Sequence, residues 1–530
     1  MVRSSLFLAY TALAAFVSAH NSPLEARQEE ASIASDNARN GGPKGGPKGK
    51  PNVDSKKLQD AIKESALKKK ARELEKAAYS TPERNRVFGS PGHENTLKFI
   101  EKYLGDEDDY WTFSRQAFTE LYSQGSGTFS AGGVSYPLGV FTYSSSTSGT
   151  LTAPIIEVAN VGCDAADYPA DVRGAIALIS RGTCPFSQKS TLAKAAGAAG
   201  AVVTNNAPGS LAGTLGGTGD YVPTGGVSQE NGTAIRAALP LQGQLQITSV
   251  VENRTTYNII ADSKTGDKNN VVVIGAHSDS VFAGPGINDD GSGTIGILET
   301  AIQLAKKKYR LKNALRLGFW SAEEFGLLGS EYYVANLPQE ERNKIKLYLN
   351  FDMIASPNWQ YALYDGDGSA FNQSGPPGSD KIEHFFQDWF KARGIPTKDS
   401  EFNGRSDYGP FIAEGVDIPA GGIFTGAEAV KTEQEAAWWG GQSGVAYDPN
   451  YHLVGDNYNN LAFEPFLINT KAIAASVAKY TMDTSDIPTR ASGAKIKTRG
   501  DDHHPHGKRN TVKHSHQPGL QCGAEERVSE

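Results

Sequence analysis

The amino-acid sequence predicts an α/β protein: a mainly parallel central sheet flanked by helices, interrupted by a smaller inserted α/β domain. Three observations carry this reading. From Asn253 to about Thr481, strand-like apolar runs alternate with helical runs, namely VVVIGAH, TIGILETAIQLAKKK, ALRLGFW, FGLLGSEYYVANL and KLYLNFDMI. Such alternation is the signature of crossover units on a parallel sheet. From Thr150 to about Ser249 the texture differs: GAIALISRG and GAAGAVVTNN read as short buried strands, with the helix-like SQKSTLAKAAGAAG between them and no histidine anywhere. Finally, 530 residues exceed one ordinary core and suggest two folded units plus flexible ends.

Taken in chain order, residues 1–19 read as a secretory signal peptide. Arg3 precedes an apolar run from Leu6 to Val17, and Val17-Ser18-Ala19 is a small-residue cleavage pattern. The run is shorter than the roughly 20 residues a spanning helix needs, so export is expected, to the outside of the cell or to a vacuole. Residues 20–54, with the repeat GGPKGGPKGKP, are poor in apolar residues and read as a disordered, propeptide-like region. Residues 55–130 are assigned to N-terminal helices, on the strength of SKKLQDAIKESALKKKARELEKAA. The first part of that stretch is either the end of a propeptide or a solvated surface helix. The inserted domain is placed at 131–249, the main domain at 250–485, and a disordered Lys-, His- and Asp-rich tail at 486–530.

Hydrophobic residues make up 38% and charged residues 21% of the chain, which is globular composition. The net charge of −7 is mild and the basic residues are dispersed, so no nucleic-acid partner is expected. No membrane span is expected either, and a monomer is the default. Asn231-Gly-Thr, Asn253-Arg-Thr and Asn372-Gln-Ser are glycosylation sequons, consistent with export. Of the three cysteines, Cys163 and Cys184 are the expected pair in an oxidising compartment, and Cys522 falls in the tail.

Histidine placement narrows the search for chemistry. Six of the ten lie at the signal junction or in the tail, which leaves His93, His277, His384 and His452. His277 ends a strand-like run. Asp279 follows two residues later, and Asp289 sits in the Gly-rich PGINDDGSG, whose glycines let side chains converge. A ligating histidine commonly gives its second ring N–H to a carboxylate, a part that suits Asp279. Glu323 and Glu324 follow the run ending at Trp320. Adjacent residues point in different directions, so one can bind metal while the other acts as base. Taken alone, the pair would serve equally well to stabilise a helix N-terminus. Asp352 ends KLYLNFDMI among apolar residues, where a carboxylate is costly unless paired or metal-bound. Two histidines and several carboxylates at strand ends of one α/β unit form a donor set that suits zinc.

These motifs, in order GAHSDSV, GPGINDDGSG, SAEEFGLLGS, LNFDMI, GRSDYGPF, GGIFTGAE and YDPNYH, resemble those of the co-catalytic di-zinc aminopeptidases, in the leucine aminopeptidase and aminopeptidase Y branch. The resemblance implies a zinc exopeptidase fold and two Zn2+ per chain. It implies that Asp289 bridges the metals, that His277 and Asp352 complete one site, and that Glu324 and His452 complete the other. Glu323 would be the general base and Asp279 would orient His277. Arg405 and Tyr451 would bind substrate and stabilise the tetrahedral intermediate. RGTCPFSQK and AGAAGAVVTNN resemble a protease-associated (PA) domain, expected to limit access to the site. One departure stands out: relatives carry a cysteine in a YDPCYH pattern where this chain has Asn450. The expected activity is release of N-terminal residues, leucine and other apolar ones, from peptides with a free amine. A glutamate carboxypeptidase-type exopeptidase of the same fold is the alternative, and a catalytically dead binding protein a more distant one.

Overall fold

A computed structural model describes residues 50–490. The signal sequence, nearly all of the expected N-terminal disordered region, the tail beyond 490, its histidines and Cys522 lie outside the described residues.

Three helices open the described chain. Ser55–Ala61 is capped by the Asp54 carboxylate, which accepts from the Lys57 N–H. Glu64–Tyr79 follows after a break at Ile62–Lys63, so the single helix expected there is two. The break turns Ile62 into the core. Leu58, Ile62, Leu67, Ala71 and Leu74 are all buried, and the larger of them contribute about 1.5–3 kcal/mol each. Lys70 is buried against Glu299 at 2.6 Å. The third helix, Pro91–Gly105, starts with Ser90 accepting from the His93 N–H and proline in the first turn.

Two expectations at the ends of the chain need correcting. Residues 50–54 are tied down, because the Pro51 carbonyl accepts from the Arg310 N–H and Asp54 caps a helix. At the other end, Ile487 is buried, and the Arg490 guanidinium donates to the carbonyls of Val416 and Ile345. The expected helical stretch to residue 130 also ends early. Trp111–Ala131 is a 21-residue strand, paired antiparallel along its whole length with Leu241–Ser263. Its aromatic and β-branched content favours extended backbone once a partner is present, and that partner is over a hundred residues away.

This long ribbon joins two sheets into one. On one side, Asn313–Trp320 pairs antiparallel with its 259–262 stretch. Asp267–His277, Ile345–Phe351 and Ala420–Phe424 then continue the sheet in parallel, followed by Ala362–Tyr364 and Lys398–Ser400 at the edge. On the other side, Leu151–Glu157, Ile176–Ser180, Gly200–Thr204 and Thr224–Val227 form the inserted α/β unit, and Cys163 is bonded to Cys184 within it. Both expected boundaries, 131 and 249, fall on the ribbon itself.

The four parallel strands are buried on both faces, as parallel strands between helices must be. Helices Gly291–Lys306 and Phe463–Met482 pack over them, with Ile295, Leu298, Ile302, Ile473 and Val477 in one core. Gly293 lets the first of these helices approach the sheet, since a Cβ there would collide with the Phe351 carbonyl. The carboxyl ends of these strands face one cleft, the usual place for a site in such sheets.

Candidate metal centre and active site

Each site residue is delivered by a strand end or the loop after it. His277 is the last residue of its strand. Its backbone N–H donates to Asp290 Oδ2 at 3.1 Å, and its carbonyl accepts from Thr294 Oγ1 at 2.7 Å. Asp290 also accepts from the N–H groups of Gly293 and Met353 and so caps the helix that follows. Glu323 and Glu324 sit on a single tight turn between Ala322 and Leu327, both in the left-handed region with φ 59° and 60°. Asp352 directly follows Phe351. His452 lies on a loop, itself at φ 56°. Non-glycine residues held there cost about 1–2 kcal/mol each, and such strain concentrates at functional sites.

Within this cleft Asp289 stands between the two histidines. Its Oδ1 is 3.1 Å from His277 Nε2, and its Oδ2 is 3.2 Å from His452 Nε2. Asp352 Oδ1 is 3.7 Å from His277 Nε2, and Glu324 Oε2 is 3.0 Å from His452 Nε2. Two half-sites thus share one carboxylate. Glu323 Oε2 approaches His277 Nε2 to 3.8 Å, nearly as close as Asp352 Oδ1 does. Asp279 Oδ1 is 3.5 Å from His277 Nδ1, longer than an ordinary hydrogen bond. The same oxygen accepts the Glu323 backbone N–H at 3.1 Å, which ties that turn to the histidine's side of the cleft.

His277, Asp279, Asp289, Glu323 and Glu324 are buried, Asp352 and His452 are each 14% exposed, and their acidities reflect these surroundings. Burial pushes the Glu323 carboxyl well above its ordinary value, Glu324 to about 7 and Asp352 to about 6. For Asp289 burial acts upward, but hydrogen bonds from His277 and His452 hold it below the usual range. For His452 burial acts downward, yet the Glu324 and Asp289 carboxylates raise it to about 10. So much negative charge in so small a volume calls for cations. Oδ1 of Asp352 and Oε1 of Glu324 lack a hydrogen-bond partner, and one ligand atom each from His277, Asp289 and Glu324 lie within 4.8 Å of one another. Buried, unsatisfied N and O donors at this spacing fit divalent metal ions.

The cleft continues past the carboxylates into a pocket lined by Met353, Tyr364, Tyr408 and Phe424, with Gln360 among them. Arg405 and Tyr451 also line it. Arg405 lies 3.7 Å from Glu428, and the Tyr451 ring stacks on His452 with centroids 3.8 Å apart. Of the sequons, Asn253 and Asn372 are exposed and Asn231 is half-buried.

Every site residue expected from the sequence falls in or beside this cleft. The other two histidines do not. His93 is buried with Nε2 2.9 Å from Ser278 Oγ, and burial lowers it to about 4, so it is a neutral core group. His384 is half-exposed, 3.6 Å from Asp367. Four further residues support the expected ones, two of them, Ser406 and Asp407, within the GRSDYGPF motif. Ser406 donates to Asp352 Oδ2 at 2.6 Å. Asp407 is raised by burial to about 8, against the opposing charge of His277. Arg86, fully buried, donates to the carbonyls of Pro285, Ser278 and Gly286 and braces the loop that carries Asp289. Asp456 accepts the Asp289 N–H at 3.0 Å.

Comparison with known proteins covers the same residues. Residues 258–477 match Peptidase family M28, and residues 148–235 match the PA domain. The chain is 49% identical over 459 residues to a probable leucine aminopeptidase 2 of Aspergillus oryzae, spanning 85% of this chain and 91% of that protein. It is 46% identical over 450 residues to leucine aminopeptidase 2 of Trichophyton rubrum, spanning 84% and 90%. Among solved structures it resembles an aminopeptidase from Aneurinibacillus sp. strain AM-1, with TM-score 0.60, 26% identity, and coverage of 80% of this chain and 95% of that one. It also resembles a zinc aminopeptidase from Bacillus subtilis, with TM-score 0.58, 25% identity, and coverage of 81% and 99%. Likeness at this level, running through the strands and loops that build the cleft, means that the chain belongs to peptidase family M28, alongside the leucine aminopeptidases and with a PA domain as an insertion.

Proposed function

We propose that this aminopeptidase binds two zinc ions and releases apolar residues such as leucine from the free N-terminus of peptides. The single observation that carries the reading is the placement of Asp289, one oxygen toward His277 and the other toward His452. A carboxylate so placed can be shared by two ions, with Asp352 completing one half and Glu324 the other. Zinc bound there would supply a more acidic water and a polarised scissile carbonyl.

The protein's own groups do the rest. Glu323, whose affinity for a proton is raised by burial, takes the proton from the attacking water and passes it to the departing amine. Arg405 and Tyr451, both on the pocket wall, donate to the oxygen on which charge develops. Met353, Tyr364 and Phe424 offer an apolar surface to the first side chain. The carboxypeptidase alternative is not favoured, because the relatives and neighbours described above are aminopeptidases.

We further propose export through the N-terminal leader, maturation upstream of the helix that begins at Ser55, and glycosylation at the exposed Asn253 and Asn372. The test is hydrolysis of leucine arylamide and N-acetyl-leucine arylamide, with and without a zinc chelator. Cleavage of only the free-amine substrate, abolished by chelator, is the expected result. Cleavage of the blocked substrate, or activity that survives chelation, would overturn the reading.

A further inference from the structure

The loop that carries His452 has no covalent staple. Cys163 and Cys184 are bonded to each other in the inserted domain, and Asn450 occupies the place where a cysteine was anticipated by resemblance. The loop nevertheless has a defined path, with His452 in a left-handed conformation that glycine would adopt more easily. Something else must hold it.

We propose that Asp448, Asp456 and Asn460 form a hydrogen-bonded lock that fixes the His452 loop to the backbone of Asp289, and so sets the spacing between the two halves of the metal centre. The inference rests on the metal-binding reading above. Asp456 straddles two consecutive backbone amides: its Oδ1 accepts from the Asn288 N–H at 2.8 Å and its Oδ2 from the Asp289 N–H at 3.0 Å. The Asp456 carbonyl accepts the Ile287 N–H at 3.1 Å. Asp448, at the other end of the loop, accepts from Asn288 Nδ2 at 2.7 Å. Its backbone carbonyl accepts the Tyr451 N–H at 3.1 Å, and its Oδ1 accepts the Asn450 N–H at 2.9 Å.

Asn460 joins the two carboxylates. Its Nδ2 lies 2.9 Å and 3.0 Å from the Asp448 oxygens and 3.2 Å from Asp456 Oδ1. Its Oδ1 accepts from Asn450 Nδ2 at 2.7 Å. Asp448, Asp456, Asn288 and Asn460 are all buried. Hydrogen bonds to charged groups in such surroundings are strong, and a missing partner cannot be replaced by solvent. The lock therefore links the residue that offers one oxygen to each histidine with the loop that bears one of those histidines. These are positioning residues, since none faces the reacting atoms.

The test measures zinc bound per chain against buffered free zinc, by elemental analysis, for the wild type, Asn460→Leu and Asp456→Asn. Thermal unfolding of the zinc-free proteins is followed in parallel. Loss of a group that orients metal ligands typically weakens affinity about 10–100-fold. The expected result is that the variants need at least about tenfold more free zinc for part of their complement. A lock that served folding alone would lower the unfolding temperature and leave the zinc curve where it was, and that result would overturn the proposal. If Asn460→Leu does not fold, Asp456→Asn decides, since it keeps the side chain's size while removing one of the two oxygens that accept the Asn288 and Asp289 amides. A weaker zinc curve in that variant supports the lock, and an unchanged one refutes it. Failure of the wild type to bind zinc at all would instead remove the metal reading beneath both proposals.

Discussion

Replacing Lys70 by methionine should destabilise the protein by about 3 kcal/mol. Lys70 Nζ and Glu299 Oε2 are 2.6 Å apart, with side chains only 6% and 1% exposed. At an effective dielectric of about 20, unit charges some 3 Å apart attract by about 5–6 kcal/mol, offset by the cost of desolvating both. Removing one partner leaves the other buried and uncompensated, which costs about 3–5 kcal/mol. Gln303 Nε2 still donates to Glu299 Oε1 at 2.9 Å, which places the loss near the lower end. The double variant Lys70→Met, Glu299→Met removes the orphaned charge and should recover most of the loss. The assay is urea unfolding of the purified protein, followed by fluorescence of the buried Trp111 and Trp320. Stability of Lys70→Met equal to that of the wild type would refute the reasoning. It would mean that the helix Glu64–Tyr79 is dispensable in the mature protein, as a cleaved propeptide would be. A loss of the predicted size would place any maturation cut before this helix.

Other outcomes follow from the same geometry. Glu323→Gln should lower kcat by about 10²–10⁴, as loss of a general base does, with zinc content unchanged; a parallel loss of zinc would show that Glu323 is a ligand instead. Glu435 is drawn upward by burial, but hydrogen bonds from Lys398, the Thr432 N–H and Tyr447 hold it at about 2. Its folded value lies below its unfolded one, so its contribution is complete above about pH 4.5 and is lost as pH falls toward 2. The stability gap between zinc-free wild type and Glu435→Gln should therefore be wide at pH 6 and narrow toward pH 3. Replacing Cys163 and Cys184 by serine reopens a loop of 21-residue separation and should cost about 3 kcal/mol. Limited proteolysis should then cut the inserted domain first, while leucine arylamide hydrolysis persists.

The site was legible in the sequence to an unusual degree because its donors sit where strands end. His277, Glu323, Glu324 and Asp352 each terminate or follow an apolar run, and apolar runs on a parallel sheet are long enough to read without a partner. Asp290 stands beside Asp289 in the same loop, yet it serves as the cap of a helix. Three backbone donors take up its carboxylate, whereas that of Asp289 faces the two histidines. The strand at 111–131 was misread because antiparallel pairing over such distance leaves no local mark. Asp456 and Arg86 were invisible for a related reason: both act on backbone groups of residues far away in sequence, and backbone hydrogen bonds select no particular neighbour.

By itself, then, the sequence determined the α/β architecture, the inserted domain, the chemistry of the donor set and the family. These follow from local patterns, periodicity and short motifs, which survive in one dimension. The tertiary structure alone decided that Asp289 faces both histidines, that the N-terminal helices belong to the core, and that a ribbon of two long strands joins the two sheets into one. It also decided that Asp448, Asp456 and Asn460 are hydrogen-bonded together beside the loop that bears His452. Each of these depends on the direction of a side chain or on a contact between residues a hundred or more positions apart, and such directions exist only once the chain has closed on itself.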